Sequence, residues 1–232
     1  MTPSKPDHER VVGEHGVGPL SGDRGQSVYD RWSRHGWLYD GLMRLAAPLR
    51  EDAFEALAAQ PGERVLDLGC GPGTNFRSLR DAVGPDGAVV GLDYSPGMIQ
   101  QASEHVEENG WANVRVVRGD ATEACVSPGH FDAAISTFAL HTMTDAGAVV
   151  RNVHEALRPG GRFVALDSRG IQDWPARLLN PLFERAIGRL VNHQPDQDPL
   201  GALRSQFESV EVVETYDAGS GYLAVATRAE RC

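Results

Sequence analysis

From residue 64 to residue 167 the chain alternates between short apolar runs and amphipathic stretches, and few folds accept that pattern. The runs are "RVLDLG" (64–69), "AVVGLD" (88–93), "NVRVV" (113–117), "FDAAIS" (131–136) and "RFVALD" (162–167), each the length of one buried strand. Helices are predicted between them over residues 74–82, from Ser95-Pro96 onward, and over 146–157. Ser95 is a good N-cap and Pro96 suits a first helical turn. Met98, Ile99, Ala102 and Val106 then share one face, as do Val149, Val150, Val153 and Leu157 on the later helix. Strands joined through helices need crossovers, which lay them parallel and cover both faces of the sheet. The stretches "GPDG" (84–87) and "RPGG" (158–161) read as turns. The last two runs, 210–216 and 221–227, are separated by a short link and predict an antiparallel hairpin at the sheet edge. The expected fold is α/β: a doubly wound, mostly parallel seven-stranded sheet with its last strand antiparallel.

With 232 residues, 41% of them hydrophobic, one domain has enough apolar material for its core. Residues 1–25, rich in Gly, Pro and charge, read as a mobile tail, and residues 26–60 as helices forming a lid, the third of them over 51–59. The core would span 61–168, an apolar insert 169–200, and the terminal hairpin 201–232. No run approaches the ~20 apolar residues of a membrane span, and the N-terminus lacks a secretory pattern. Cys70, Cys125 and Cys232 form no C-x-x-C pair, and His8 and His15 make no metal site, so a reduced, cytoplasmic setting and no metal are expected. A net charge of -10 repels a phosphate backbone, which argues against nucleic acid as a partner.

"VLDLGCGPGT" (65–74) lies beyond the first strand, where open α/β sheets bind ligands. A triphosphate loop needs a lysine after its last glycine; Lys5 is the only lysine in the chain. A dinucleotide fingerprint, counted from Gly69 or Gly71, would put its third glycine at Thr74 or Phe76, so that register fails. What is left is acid-x-Gly-x-Gly-x-Gly. An acid there suits an ammonium group and would repel a pyrophosphate.

In these residues, and in the ordered motifs from Glu63 to Ser168, the chain resembles the class I S-adenosylmethionine-dependent methyltransferases. Within them it is most similar to the ubiquinone/menaquinone C-methyltransferase-like group acting on small molecules. The resemblance implies a Rossmann-like fold with S-adenosylmethionine as cofactor and S-adenosylhomocysteine as product. It implies that Asp67 reaches the amino-acid end of the cofactor, while Gly69, Gly71 and Gly73 let the backbone approach the methionine part. Asp93 would accept from the ribose hydroxyls, with Tyr94 and Met98 as an apolar wall on the adenine. Asp120 would take the adenine amino group and Ala121 a backbone contact. Ser136, Thr137 and Phe138 would border the sulfonium and the incoming acceptor.

Methyl transfer is a direct displacement, so a base is needed only where the acceptor must lose a proton. His141 is either that base, an acceptor-orienting group, or a polar residue capping the next helix. Tyr29 and Tyr39 begin two "YD" pairs in the N-terminal helices; one of them would touch the cofactor, or both pack a lid. In the insert, Trp174, Leu178, Leu182, Phe183 and Ile187 recur at helical spacing and, by the resemblance, cap a pocket for a small-molecule or amphipathic acceptor, with peripheral membrane contact. Two rival functions stand beside this one: an NAD-dependent oxidoreductase and a non-catalytic S-adenosylmethionine-binding partner protein.

Overall fold

The computed structural model describes residues 46–123, 127–180 and 197–230. The tail (1–25), the helices expected over 26–45 with Tyr29 and Tyr39, the insert stretch 181–196, Cys125 and Cys232 lie outside these residues. The described elements are α1 (Ala47–Leu57), β1 (Arg64–Leu68), α2 (Phe76–Val83), β2 (Ala88–Asp93), α3 (Pro96–Asn109), β3 (Val114–Arg118) and β4 (Phe131–Thr137). A single 3-10 turn at Leu140–Thr142 leads to α4 (Ala146–Ala156), β5 (Leu157–Ser168), a second 3-10 turn at Ala176–Leu179, α5 (Pro199–Gln206), β6 (Ser209–Tyr216) and β7 (Gly221–Thr227).

The strands form one seven-stranded sheet in the order β3-β2-β1-β4-β5-β7-β6. β1 pairs parallel with both β2 and β4, and β7 runs antiparallel to both β5 and β6, as the alternating pattern and the short 217–220 link predict. The order reverses at β1, so the crevice for a ligand opens at the carboxyl ends of β1 and β4.

Alternation along each strand splits the core into two layers. Val65, Val89, Phe76, Leu79 and Leu57 pack on the side of α1 and α2, while Leu66, Leu68, Val150, Val153 and Leu203 pack on the side of α4 and α5. Burying side chains of this kind contributes about 1.5–3 kcal/mol each. Arg162 on β5 ties α1 to the sheet: its Nη1 and Nη2 donate to Glu63 at 3.0 and 2.7 Å, and Nη2 also donates to the Ala58 carbonyl at 3.0 Å.

Three local features differ from expectation. The helix expected over 51–59 starts at Ala47, and Pro48 sits in its first turn, where a missing N–H costs nothing. Residues 158–161 are not a turn between elements. They bulge out within β5, which pairs Leu157 with Phe131 and then Arg162 with Ala133. Pro159 has no amide to donate to a ladder, and Gly160 has φ 76, so the chain leaves the ladder and rejoins it. Finally, α5 straddles the boundary expected between insert and hairpin. Asp198 caps it through the Gly201 amide, and Leu200 and Leu203 anchor it. Among the described residues no helix is long and apolar enough to cross a membrane.

Candidate functional site

The loop after β1 is shaped by its three glycines and held by Asp93. Gly69, Gly71 and Gly73 have φ of 67, 54 and 83, a region that side chains with a Cβ rarely adopt. The protein supplies its own reasons for glycine at two of them. A Cβ on Gly69 would lie 2.4 Å from Ala139 Cβ, and one on Gly73 would lie 2.6 Å from the Phe76 ring. Asp93 ends β2 and accepts from the Gly71 amide through Oδ2 (2.9 Å) and from the Ser95 amide through Oδ1 (2.9 Å). It thereby links the glycine loop to the N-terminus of α3. Burial pushes its carboxyl above the ordinary value.

Asp67 is the strongest electrostatic feature of the crevice. It is fully buried, and its Oδ1 accepts from Asn75 Nδ2 at 3.0 Å. Its Oδ2 finds no hydrogen-bond partner among the described residues. Desolvation pushes its pKa from 3.8 to about 7; Asp93 pushes the same way, while the Asn75 hydrogen bond and the buried Arg50 of α1 oppose it. A carboxylate with one oxygen lacking a donor, beside a glycine loop, fits a cationic ammonium group and would repel a phosphate.

Asn75 and Arg50 are absent from the sequence reading. At the N-cap of α2, Asn75 looks like a capping residue, yet its side chain makes no cap bond. It is 2% exposed and turns to the sheet end, where Nδ2 bridges Asp67 and Thr137 Oγ1 (3.1 Å). Its place directly after G-x-G-T was the available signal.

Beyond β2 and β3, Met98 is 2% exposed in the first turn of α3, so it belongs to the core as well as to this end of the sheet. Tyr94 Oη is buried with no hydrogen-bond partner among the described residues. Asp120 Oδ1 accepts from the Thr122 amide (2.9 Å) and hydroxyl (2.7 Å), which makes it a turn-former at the end of β3. The carbonyl of Ala121 accepts from Asn152 Nδ2 on α4 at 2.9 Å. Cys70 is buried and its thiol is pushed well up by burial, which leaves it without nucleophilic character.

At the end of β4, Ser136 is 1% exposed, and its Oγ lacks a partner among the described residues. Phe138 takes φ 56, uncommon for an aromatic residue, and its amide donates to the Leu166 carbonyl at 2.7 Å. That bond starts a turn that returns the chain to the end of β5. There His141, 5% exposed, meets Asp167, 1% exposed: its amide donates to Oδ2 at 3.0 Å and its Nδ1 contacts Oδ1. Asp167 was also missed, because nothing in "RFVALD" separates a functional acid from a strand end. The structure thus gathers Asp67, Gly69, Gly71, Gly73, Asp93, Ser136 and His141 along one edge of the sheet. Among the described residues no group of three or more His, Cys, Asp or Glu side chains is placed to hold a metal ion.

Known proteins place this geometry. A methyltransferase domain family matches residues 59–206. The demethylmenaquinone methyltransferase of Geobacillus kaustophilus is 29% identical over 180 residues, 72% of this chain and 76% of that one. The aklanonic acid methyltransferase of a Streptomyces species is 28% identical over 216 residues, 90% of this chain and 93% of that one. The crystal structure of an S-adenosylmethionine-dependent methyltransferase from Mesorhizobium loti superposes with a TM-score of 0.60 at 25% identity, covering 76% of this chain and 96% of that one. Glycine loop, buried acid, strand order and relatives agree: the chain belongs to the methyltransferase domain family and is an S-adenosylmethionine-dependent enzyme.

Proposed function

We propose that this methyltransferase acts on a small, largely apolar or amphipathic acceptor lying over the carboxyl ends of β4 and β5. The observation that carries the cofactor half of the reading is the buried Asp67 with its unmatched Oδ2. Two relatives, named for demethylmenaquinone and for aklanonic acid, support the acceptor class. The exposed Trp174 and Leu178, on the segment that follows β5, supply apolar surface near that end.

When bound, S-adenosylmethionine supplies a methyl group on a positively charged sulfur. Asp67 holds the α-amino group and the glycine loop the methionine backbone, while Asp93 takes the ribose hydroxyls. Tyr94 and Met98 flank the adenine, Asp120 and Ala121 hold its edge, and Ser136 faces the sulfur. The segment that follows β5 borders the acceptor. The chain's contribution is alignment and exclusion of water, which together supply much of the rate of such a displacement. The acidic surface and the cysteine usage fit a cytoplasmic enzyme that does not bind nucleic acid, with membrane contact limited to the periphery.

The test is transfer of a labelled methyl group to reduced demethylmenaquinone, to aklanonic acid and to RNA and protein from a cell extract, alongside calorimetry with S-adenosylhomocysteine and NADH. Label in the small molecules and binding of S-adenosylhomocysteine alone are expected. Label confined to RNA or protein overturns the acceptor class, and binding of NADH alone overturns the cofactor.

A further inference from the structure

Three hydroxyls are buried without a hydrogen-bond partner among the described residues, those of Tyr94, Ser136 and Tyr222. The first two lie beside the glycine loop, one just after β2 and one near the end of β4, where the cofactor accounts for them. Tyr222 has no such account. It is the second residue of β7, three strands from β1 in the sheet. A hydroxyl taken out of water with nothing to bond costs the fold its lost hydration, and a phenylalanine would fill the same space without that cost.

Because β7 runs antiparallel to β5, its first residues stand at the carboxyl end of β5, under the acceptor in the reading above. Tyr222 is 1% exposed, pairs in register with Asp167, and belongs to the core layer that holds Leu200 and Leu203 of α5. The guanidinium carbon of Arg169 stands 5.6 Å from the centre of its ring, and Arg169 is itself fixed, its Nε donating to the Gly219 carbonyl at 3.0 Å. The carboxylates nearby have other donors. Asp167 accepts from the Ser168 amide and from the amide and ring of His141, and Asp198 caps α5 through the Gly201 amide. Burial pushes the phenol above its ordinary pKa, Asp167 and Asp198 add to this, and Arg169 opposes it. The phenol therefore stays neutral and offers a hydrogen. Two carboxylates beside one cation leave this corner negative, which suits a neutral oxygen and repels a carboxylate or phosphate.

We propose that Tyr222 sets acceptor specificity by donating its hydroxyl hydrogen to a neutral oxygen of the acceptor, a ketone, quinone or hydroxyl oxygen on the side away from the cofactor. This rests on the methyltransferase reading above. No bond is made or broken at Tyr222. It fixes which way round the acceptor lies, and an acceptor lacking that oxygen leaves the phenol unpaired and binds less well.

The alternative is a phenol that only fills the layer. Calorimetry on the S-adenosylhomocysteine-bound protein separates the two, with three probes of one skeleton: 1-tetralone (a ketone), tetralin (no oxygen) and tetralin-1-carboxylate. The wild type should bind the ketone about three- to tenfold more tightly than tetralin, and the carboxylate no more tightly than tetralin. In Tyr222→Phe the preference for the ketone should vanish, while tetralin and S-adenosylhomocysteine bind within about twofold of wild type. A wild type that shows no preference or binds no ketone, a preference that survives in Tyr222→Phe, or an equal loss of ketone and tetralin each overturns the proposal. Tightest binding of the carboxylate overturns it too. Infrared spectra of the bound ketone keep the test open should the variant not fold: its carbonyl stretch should move to lower frequency in the wild type, and an unshifted band overturns the proposal. Absence of S-adenosylhomocysteine binding by the wild type would instead remove the broader methyltransferase reading.

Discussion

Asp67 and Asp167 are both buried carboxylates at the carboxyl ends of parallel strands, yet their surroundings treat them in opposite ways. Asp167 has donors on both oxygens. Asp67 has one amide on Oδ1 and none on Oδ2 among the described residues, and burial pushes its pKa to about 7. A carboxylate left short of donors in the interior is a standing cost to the fold, one that a bound cation offsets. A carboxylate fully supplied by its own chain orients a neighbour instead. The two acids thus mark the two halves of the site: β1 and β2 hold a charged ligand end, while β4 and β5 present a shaped polar wall.

The contrast breaks most directly at Asp67. Asp67→Asn keeps the Asn75 contact but removes the charge, so calorimetry should show S-adenosylhomocysteine binding weakened by about a hundredfold or more. The same change should make the ligand-free protein more stable at pH 8. The folded pKa lies above the ordinary 3.8, so the contribution of Asp67 to stability is full below the unfolded value and lost as pH rises through about 7. The loss at full ionisation is about 4 kcal/mol as an upper figure. Urea titrations of wild type at pH 6 and 8 should show the decline, and Asp67→Asn should flatten it.

Next in size is Gly69→Ala, which combines a φ of 67 with a Cβ 2.4 Å from Ala139. A destabilisation of about 3 kcal/mol is expected in urea unfolding, with the 138–143 turn displaced from the loop. Smaller again is the pH dependence of binding. Protonated Asp67 cannot face an ammonium group, so affinity for S-adenosylhomocysteine should fall up to about tenfold for each pH unit below about 7. A flat profile between pH 5.5 and 8 would show that Asp67 does not carry the contact. The smallest effect belongs to the other half: Tyr222→Phe removes a hydroxyl without a partner among the described residues, and should leave stability within about 1 kcal/mol of wild type.

Legibility in the sequence follows the same division. The glycine loop, Asp67 and Asp93 sit in contiguous motifs next to strands of clear pattern, so their placement could be read along the chain. Asn75 could not, because an Asn before a helix reads as a cap, and only the packed sheet end shows its amide turned to Asp67 and Thr137. The β5 bulge reads as a turn from the same Pro and Gly residues; only pairing on both sides of it, to Phe131 and Ala133, makes it part of a strand. The helix α5 is short, and Leu200, Leu203 and Phe207 find their partners on α4 and β5 rather than within the segment.

By itself the sequence determined the alternation of strands and helices, the parallel sheet with its antiparallel last strand, and the loop that rejects phosphate and suits an ammonium group. Periodicity and turn chemistry are properties of neighbouring residues, and they survive without the rest of the fold. Only the tertiary structure decided which acid is left short of donors and which acid holds His141. Desolvation and pairing depend on side chains brought in from far along the chain, as Asp167 is to His141 across 26 residues.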